Sequence, residues 1–233
     1  LTKKLVAYGA ALALVQSTAG CAPESGTLAE GERRMEEPAA AAEAEAHGPL
    51  VVAFGDSLFA GYGLAQNEGL APALDRALEQ AGVAAEVVNA GVSGDTSAAG
   101  LQRLAFTLDG QAREPALVIV GLGGNDMLRG VAPSQTRANL DAMLAALKRR
   151  GVPAMLSGMV AAPNMGADYA REFNAIYPEL AKKYDVPLYA FTLDGVIGQP
   201  GLMLGDGVHP SARGVAVMAG RMAPVVKDAL ATQ

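Results

Sequence analysis

The chain has 233 residues, 51% of them apolar and 18% charged, with a net charge of -6. That suits one cored domain with extensions, and it disfavours a phosphate-backbone partner, whose binding runs on Lys and Arg. One cysteine excludes an internal disulfide framework, and one cysteine with two histidines leaves too few ligands for a Cys/His metal site.

At the start of the chain, Lys3 and Lys4 precede an apolar run from Leu5 to Val15, and small residues lead on to Cys21. A basic start, a short apolar run and a small-residue exit form the pattern of a secretory signal. The run falls short of the roughly 20 apolar residues that a bilayer span needs. Thr18-Ala19-Gly20-Cys21 resembles a bacterial lipobox, with Thr18 where Leu is usual. The expectation is an export signal over 1–21, with Cys21 either lipidated as a membrane anchor or left behind by plain secretion. Either route leads to the bacterial cell envelope, on the periplasmic side. Residues 22–49 hold seven Glu against two Arg and almost nothing large and apolar. They read as a flexible acidic tether, with His47 a solvated histidine inside it. The folded domain is expected over 50–233.

From Leu50 onward the pattern alternates strands and helices. Strands are expected at 50–54, 86–88, 116–120, 152–157 and 187–191. Helices are expected at 70–81, 96–108, 134–150, 168–183 and 211–230, with an irregularity foreseen at Pro178 and a kink or break at Pro224. Gly82 and Gly151 are placed to end helices, and Asp95 or Thr96 to begin one. Repeated β-α units imply a mostly parallel five-stranded sheet with helices on both faces. Such sheets bind ligands outside the carboxyl ends of their strands. The glycine-rich breaks after strands one, two and three therefore put Ser57, Gly94 and Asn125 on one rim.

Each rim residue has an ordinary reading. Gly55-Asp56-Ser57 is common turn chemistry, and Ser93-Gly94-Asp95 and Gly124-Asn125 are good tight turns. Each also has a chemical reading. A serine nucleophile needs a base, and outside the tether the only histidine is His209. Asp206 stands three residues before it and can accept the imidazole Nδ1–H, leaving Nε2 free as base. Gly94 offers a backbone N–H and Asn125 a carboxamide N–H where negative charge develops in acyl transfer. The loop Ala161, Ala162, Pro163, Asn164, Met165 follows strand four and either lines an acyl pocket or is core and turn.

In order, the blocks Gly55-Asp56-Ser57-Leu58, Ser93-Gly94-Asp95, Gly123-Gly124-Asn125-Asp126 and Asp206-Gly207-Val208-His209 resemble the SGNH (GDSL) hydrolase superfamily. The flanking Ala60-Gly61-Tyr62, Arg103-Leu104, Leu128-Arg129-Gly130 and Ile176-Tyr177-Pro178 are similar to its arylesterase, thioesterase I and lysophospholipase L1 branch. The resemblance implies a flavodoxin-like three-layer α/β/α sandwich and an ester or thioester hydrolase without metal or cofactor. It implies Ser57 as nucleophile, His209 as base and acid, and Asp206 as its orienter. The oxyanion hole would be formed by the N–H groups of Ser57 and Gly94 with the Asn125 side chain. Met127 departs from the pattern, since close relatives often have a glycine there.

Two other readings stay open at this stage. One is a carbohydrate O-deacetylase on the same scaffold, which a shallow polar site would favour over a fatty-acyl pocket. The other is an envelope binding protein without activity, which the intact set of five residues opposes. The absence of a G-x-S-x-G elbow argues against an α/β-hydrolase. A small-molecule ester or thioester is the expected partner, and the oligomeric state is not legible.

Overall fold

The structure is a computed structural model in which residues 48–232 are described. The expected signal, Cys21 and nearly all of the tether lie outside the described residues. Five strands, β1 (Leu50–Gly55), β2 (Glu86–Gly91), β3 (Leu117–Gly121), β4 (Ala154–Ser157) and β5 (Leu188–Tyr189), form one sheet in the order β2-β1-β3-β4-β5. Every pairing is parallel. This is the doubly wound order in which winding reverses beside β1, so the ligand crevice belongs at the carboxyl ends of β1 and β3.

Seven α-helices surround the sheet among the described residues. They are α1 (Ser57–Ala60), α2 (Leu70–Gln80), α3 (Ser97–Asp109), α4 (Gly124–Leu128), α5 (Pro133–Arg150), α6 (Ala167–Tyr184) and α7 (Ala212–Ala231). The central strands are apolar at every position because both of their faces are covered. Side chains alternate between two cores. Val52, Phe54, Val118 and Val120 meet Leu104 of α3, Leu140 of α5 and Phe173 of α6. Val51, Ala53, Leu117 and Ile119 meet Leu74 of α2 and Met218 and Met222 of α7. The result is the expected three-layer α/β/α sandwich.

A row of glycines opens the rim. Gly55 at the end of β1 is in register with Gly91 on β2 and Gly121 on β3. A Cβ on Gly121 would come within 2.0 Å of the Phe59 ring, and one on Gly91 within 2.2 Å of the Ala60 backbone nitrogen. The three bare positions let α1 lie directly across the strand ends. That is why a four-residue helix can hold Ser57 so close to the sheet.

The main departures from expectation are local. Pro178 and Pro224 lie inside α6 and α7, yet each is one uninterrupted helix. A helix-interior proline costs about 3 kcal/mol, which buried residues on both sides of each proline outweigh. The breaks after β1 and β3 are not open turns: each enters a short helix at once. β2 runs on to Gly91, while β5 keeps only Leu188 and Tyr189.

Candidate active site

Asp56 shapes the turn after β1. Its side chain caps α1 by accepting from the Leu58 N–H at 3.0 Å, and its carbonyl accepts from the Ala60 N–H at 2.9 Å. Ser57 is thereby the first residue of α1. Its own N–H has no acceptor among the described residues, as befits a helix start.

His209 reaches Ser57 from the loop before α7. Its Nε2 lies 2.9 Å from Ser57 Oγ, and its Nδ1 lies 2.7 Å from Asp206 Oδ2. The other oxygen of Asp206 accepts the backbone N–H groups of Val208 at 2.9 Å and His209 at 3.0 Å. Asp206 thus holds both the backbone and the ring of His209. The His209 backbone N–H, then its side chain, then the Val208 N–H, bring the Asp206 carboxyl down to about 2. It stays ionised at neutral pH, and an ionised carboxylate on Nδ1–H favours the tautomer whose Nε2 can take a proton.

Asn125 lies in α4, just beyond β3. Its Nδ2 donates to the Asp95 carbonyl at 3.0 Å. An amide has two N–H groups, so one remains for a ligand. Gly94, at φ +87, is one residue before Asp95 and does not wall the cavity described below. Its carbonyl accepts from Arg129 Nη2 at 2.8 Å, and its N–H has no acceptor among the described residues. Arg103 secures the same loop. It donates to Asp95 Oδ2 at 2.6 Å and to the Gly55 carbonyl at 2.9 Å, and its guanidinium lies over the Phe54 ring.

Asp126, beside Asn125, is buried in a network of its own. It accepts from the Ser97 N–H at 2.7 Å, from Thr136 Oγ1 at 3.2 Å, and from the Ser97 hydroxyl. Asn139 donates to that hydroxyl in turn at 2.9 Å. These bonds join α4 to α3 and α5. Asp56 is buried as well, and desolvation pushes its carboxyl up to about 6 against the Leu58 N–H, which favours the anion.

A cavity of about 500 Å³ opens beside Ser57, Asn125 and His209. Ala161, Ala162 and Pro163 line it as the expected loop, but Asn164 and Met165 do not. Pro163 starts a one-turn 3-10 helix that leads Asn164 and Met165 away from the wall, and Met165 packs on the core. The remaining wall is mostly apolar, including Leu128, Met159, Val160, Phe191, Ile197 and Val208. Sequence reasoning missed Phe191, Ile197 and Val208, which lie in irregular loops without periodicity. A signal did exist for Leu128 and Val208: each is a large apolar residue within three positions of a motif residue. Among the described residues, no cluster of three His, Cys, Asp or Glu side chains could hold a metal ion.

The model of the GDSL-like lipase/acylhydrolase family matches residues 53–217. Over 169 residues the chain is 41% identical to the esterase TesA of Pseudomonas aeruginosa, covering 72% of this chain and 82% of that protein. It is 42% identical over 157 residues to the thioesterase 1/protease 1/lysophospholipase L1 of Escherichia coli, covering 67% of this chain and 73% of that one. Among solved structures, the SGNH-hydrolase family esterase AlinE4 aligns with a TM-score of 0.67 at 51% identity, covering 78% of this chain and 96% of its own. The sheet order, the serine at the end of β1 and these relatives agree: the chain belongs to the GDSL-like lipase/acylhydrolase family and is a serine hydrolase of carboxylic esters.

Proposed function

We propose that Ser57 is the nucleophile, His209 the base and then the acid, and Asp206 the residue that orients it. The observation that carries this reading is the unbroken chain from Ser57 Oγ to His209 Nε2 at 2.9 Å and from Nδ1 to Asp206 at 2.7 Å. Nε2 takes the hydroxyl proton as Oγ attacks the ester carbonyl. The oxyanion is held by the N–H groups of Ser57 and Gly94 and by the free amide N–H of Asn125. His209 then returns the proton to the leaving oxygen or sulfur, and an acyl-Ser57 remains. Water, activated by the same Nε2, releases the acid.

The acyl group enters the cavity beside Ser57. Its walls of Met159, Ala161, Pro163, Phe191 and Ile197 offer an apolar chain a place to go and offer a sugar few partners. That favours acyl esters or thioesters, lysophospholipids included, over acetylated carbohydrate. In Ser57→Ala, hydrolysis of p-nitrophenyl acetate should fall by at least 10³-fold with the fold intact. Turnover equal to wild type would end the assignment. Across p-nitrophenyl esters of increasing chain length, kcat/KM should rise from acetyl into medium chains; a steady fall from acetyl onward would remove the apolar-pocket reading.

The chain's export rests on the sequence alone. The basic start at Lys3 and Lys4, the apolar run to Val15 and the single Cys21 support a signal over 1–21 with a lipid-bearing cysteine, then an acidic tether over 22–49 and the hydrolase domain over 50–233. That places the enzyme in the periplasm on a membrane tether. The full chain should partition into the detergent phase of a phase split, and Cys21→Ser into the aqueous phase. Wild type in the aqueous phase would refute the anchor.

A further inference from the structure

The imidazole of His209 is bonded at both nitrogens, to Asp206 and to Ser57. Those two bonds hold the nitrogens and leave the tilt of the ring to contacts on its faces. What limits the tilt is a contact on its face. The Tyr62 ring lies 4.4 Å from the His209 ring, centroid to centroid, with 32° between their planes.

Tyr62 is half exposed, at 52%, and has no place in the core. The backbone around it is nevertheless built to deliver the ring. Gly61 and Gly63 on either side adopt φ +78 and +75, a left-handed conformation that side chains resist. Gly61 caps α1, and the N–H groups of both Gly61 and Tyr62 return to the carbonyl of Ser57, the latter at 3.2 Å. Gly63 lies against the loop that carries the histidine: a Cβ there would stand 2.8 Å from Leu204 Cδ1. The Leu204 N–H in turn donates to the His209 carbonyl at 2.7 Å. Tyr62 is thus bonded through its backbone to Ser57 and touches His209 with its ring. It joins the two loops that must stay in register.

We propose that Tyr62 is a positioning residue, whose ring holds the His209 imidazole in line with Ser57 through both acylation and deacylation. The inference rests on the proposed roles of Ser57 and His209. Its physical content has two parts. Face contact restricts the tilt that would misdirect Nε2, and small misplacements of a base are costly. The aromatic face also attracts the imidazolium that forms when His209 takes a proton, an effect of a few-fold at a half-exposed site. Both parts act whenever His209 works. A residue that only cradled the leaving group would act before the acyl-enzyme forms and not afterwards.

Deacylation therefore provides the test, because the leaving group has already gone. With p-nitrophenyl esters, the release of nitrophenol on rapid mixing gives the acylation rate. Quenched samples followed by intact-protein mass give the decay of the acyl-enzyme. In Tyr62→Ala both steps should slow together, by about 5- to 20-fold, with KM little changed. Tyr62→Phe keeps the ring and should stay within about 2-fold of wild type in both. Normal deacylation in Tyr62→Ala overturns the proposal, whether or not acylation or KM changes. So does a Tyr62→Phe variant as slow as Tyr62→Ala, which would assign the effect to the hydroxyl. If wild type accumulates no acyl-enzyme and Ser57→Ala keeps full activity, the nucleophile assignment itself fails, and this inference falls with it.

Discussion

The two halves of the proposed site, base and oxyanion donors, are held by different means. The base half, Asp206 and His209, is local. Asp206 is 39% exposed at its side chain, and its partners lie two and three residues away on one irregular loop. The donor half is global. Asn125 sits beside Asp126, whose carboxylate is 1% exposed and binds residues of α3 and α5. Arg103 and Arg129 tie the Gly94–Asp95 loop to the end of β1 and to the end of α4. One aspartate secures a ring and the other secures a piece of the fold. The difference suits the proposed chemistry: an oxyanion site must be fixed in place before the reaction, whereas the proposed base needs its tautomer and its line to Ser57 held, which a single loop can do.

The first prediction follows from the local half and is the largest. In Asp206→Asn, Oδ1 can keep the bonds from the Val208 and His209 backbone, so the loop should stay folded. The amide NH2 would then face Nδ1. The imidazole would turn to the tautomer with its proton on Nε2, which cannot accept one from Ser57. Turnover should fall on the order of 10³- to 10⁴-fold while the melting temperature holds within about 2 °C. A melting temperature that fell along with the activity would show that the loop is no more independent than the donor half.

Asp126 provides the opposite case. Asp126→Ala leaves the Ser97 N–H and the Ser97 and Thr136 hydroxyls facing a buried position with no acceptor. The cost is about 3 kcal/mol, a drop of about 6–12 °C in melting temperature for a domain of this size. Turnover should also fall, by roughly 10- to 100-fold, because α4 carries Asn125. Activity lost without stability would break the contrast, since Asp126 would then act on the reaction and not on the scaffold.

The same contrast explains what the sequence could reveal. The proposed site residues Ser57, Gly94, Asn125, Asp206 and His209 stand out in the sequence because each sits in a short block whose residue types the proposed chemistry demands. The strands were legible because Val and Ile runs such as 117–120 have few alternatives in an α/β chain. The Asp126 network was not, because Ser97, Thr136 and Asn139 come together only when α3 and α5 pack. Nor was the far part of the cavity wall, since Phe191 and Ile197 lie on a loop whose path depends on tertiary contacts. Pro178 and Pro224 show the same limit: local preference allowed a break at Pro224, and packing keeps both helices continuous across their prolines. The glycine row was visible letter by letter, yet its purpose appears only in the register of three strands.

Asp56 belongs to neither half and gives the smallest effect on turnover. Burial raises its carboxyl from 3.8 to about 6, so the folded protein holds this proton more tightly than the unfolded chain does. A tighter grip in the folded state means that stability falls as pH rises through that window, from about 4 to about 6, and then levels off. Above pH 6 the native state carries a buried anion at a cost of about 3 kcal/mol. Asp56→Asn keeps an oxygen for the Leu58 N–H and removes the charge. The variant should match wild type near pH 4 and melt about 6–12 °C higher at pH 8. The gain should come with a loss. An anion beside the site stabilises the positive charge that develops on the base during turnover, and Asp56 lines the cavity next to Ser57. Above pH 6, kcat should drop a few-fold in the variant, the usual exchange of activity for stability at a charged site. If Asp56→Asn melted at the wild-type temperature at pH 8 as well as pH 4, the carboxyl would not be carrying a buried charge at all.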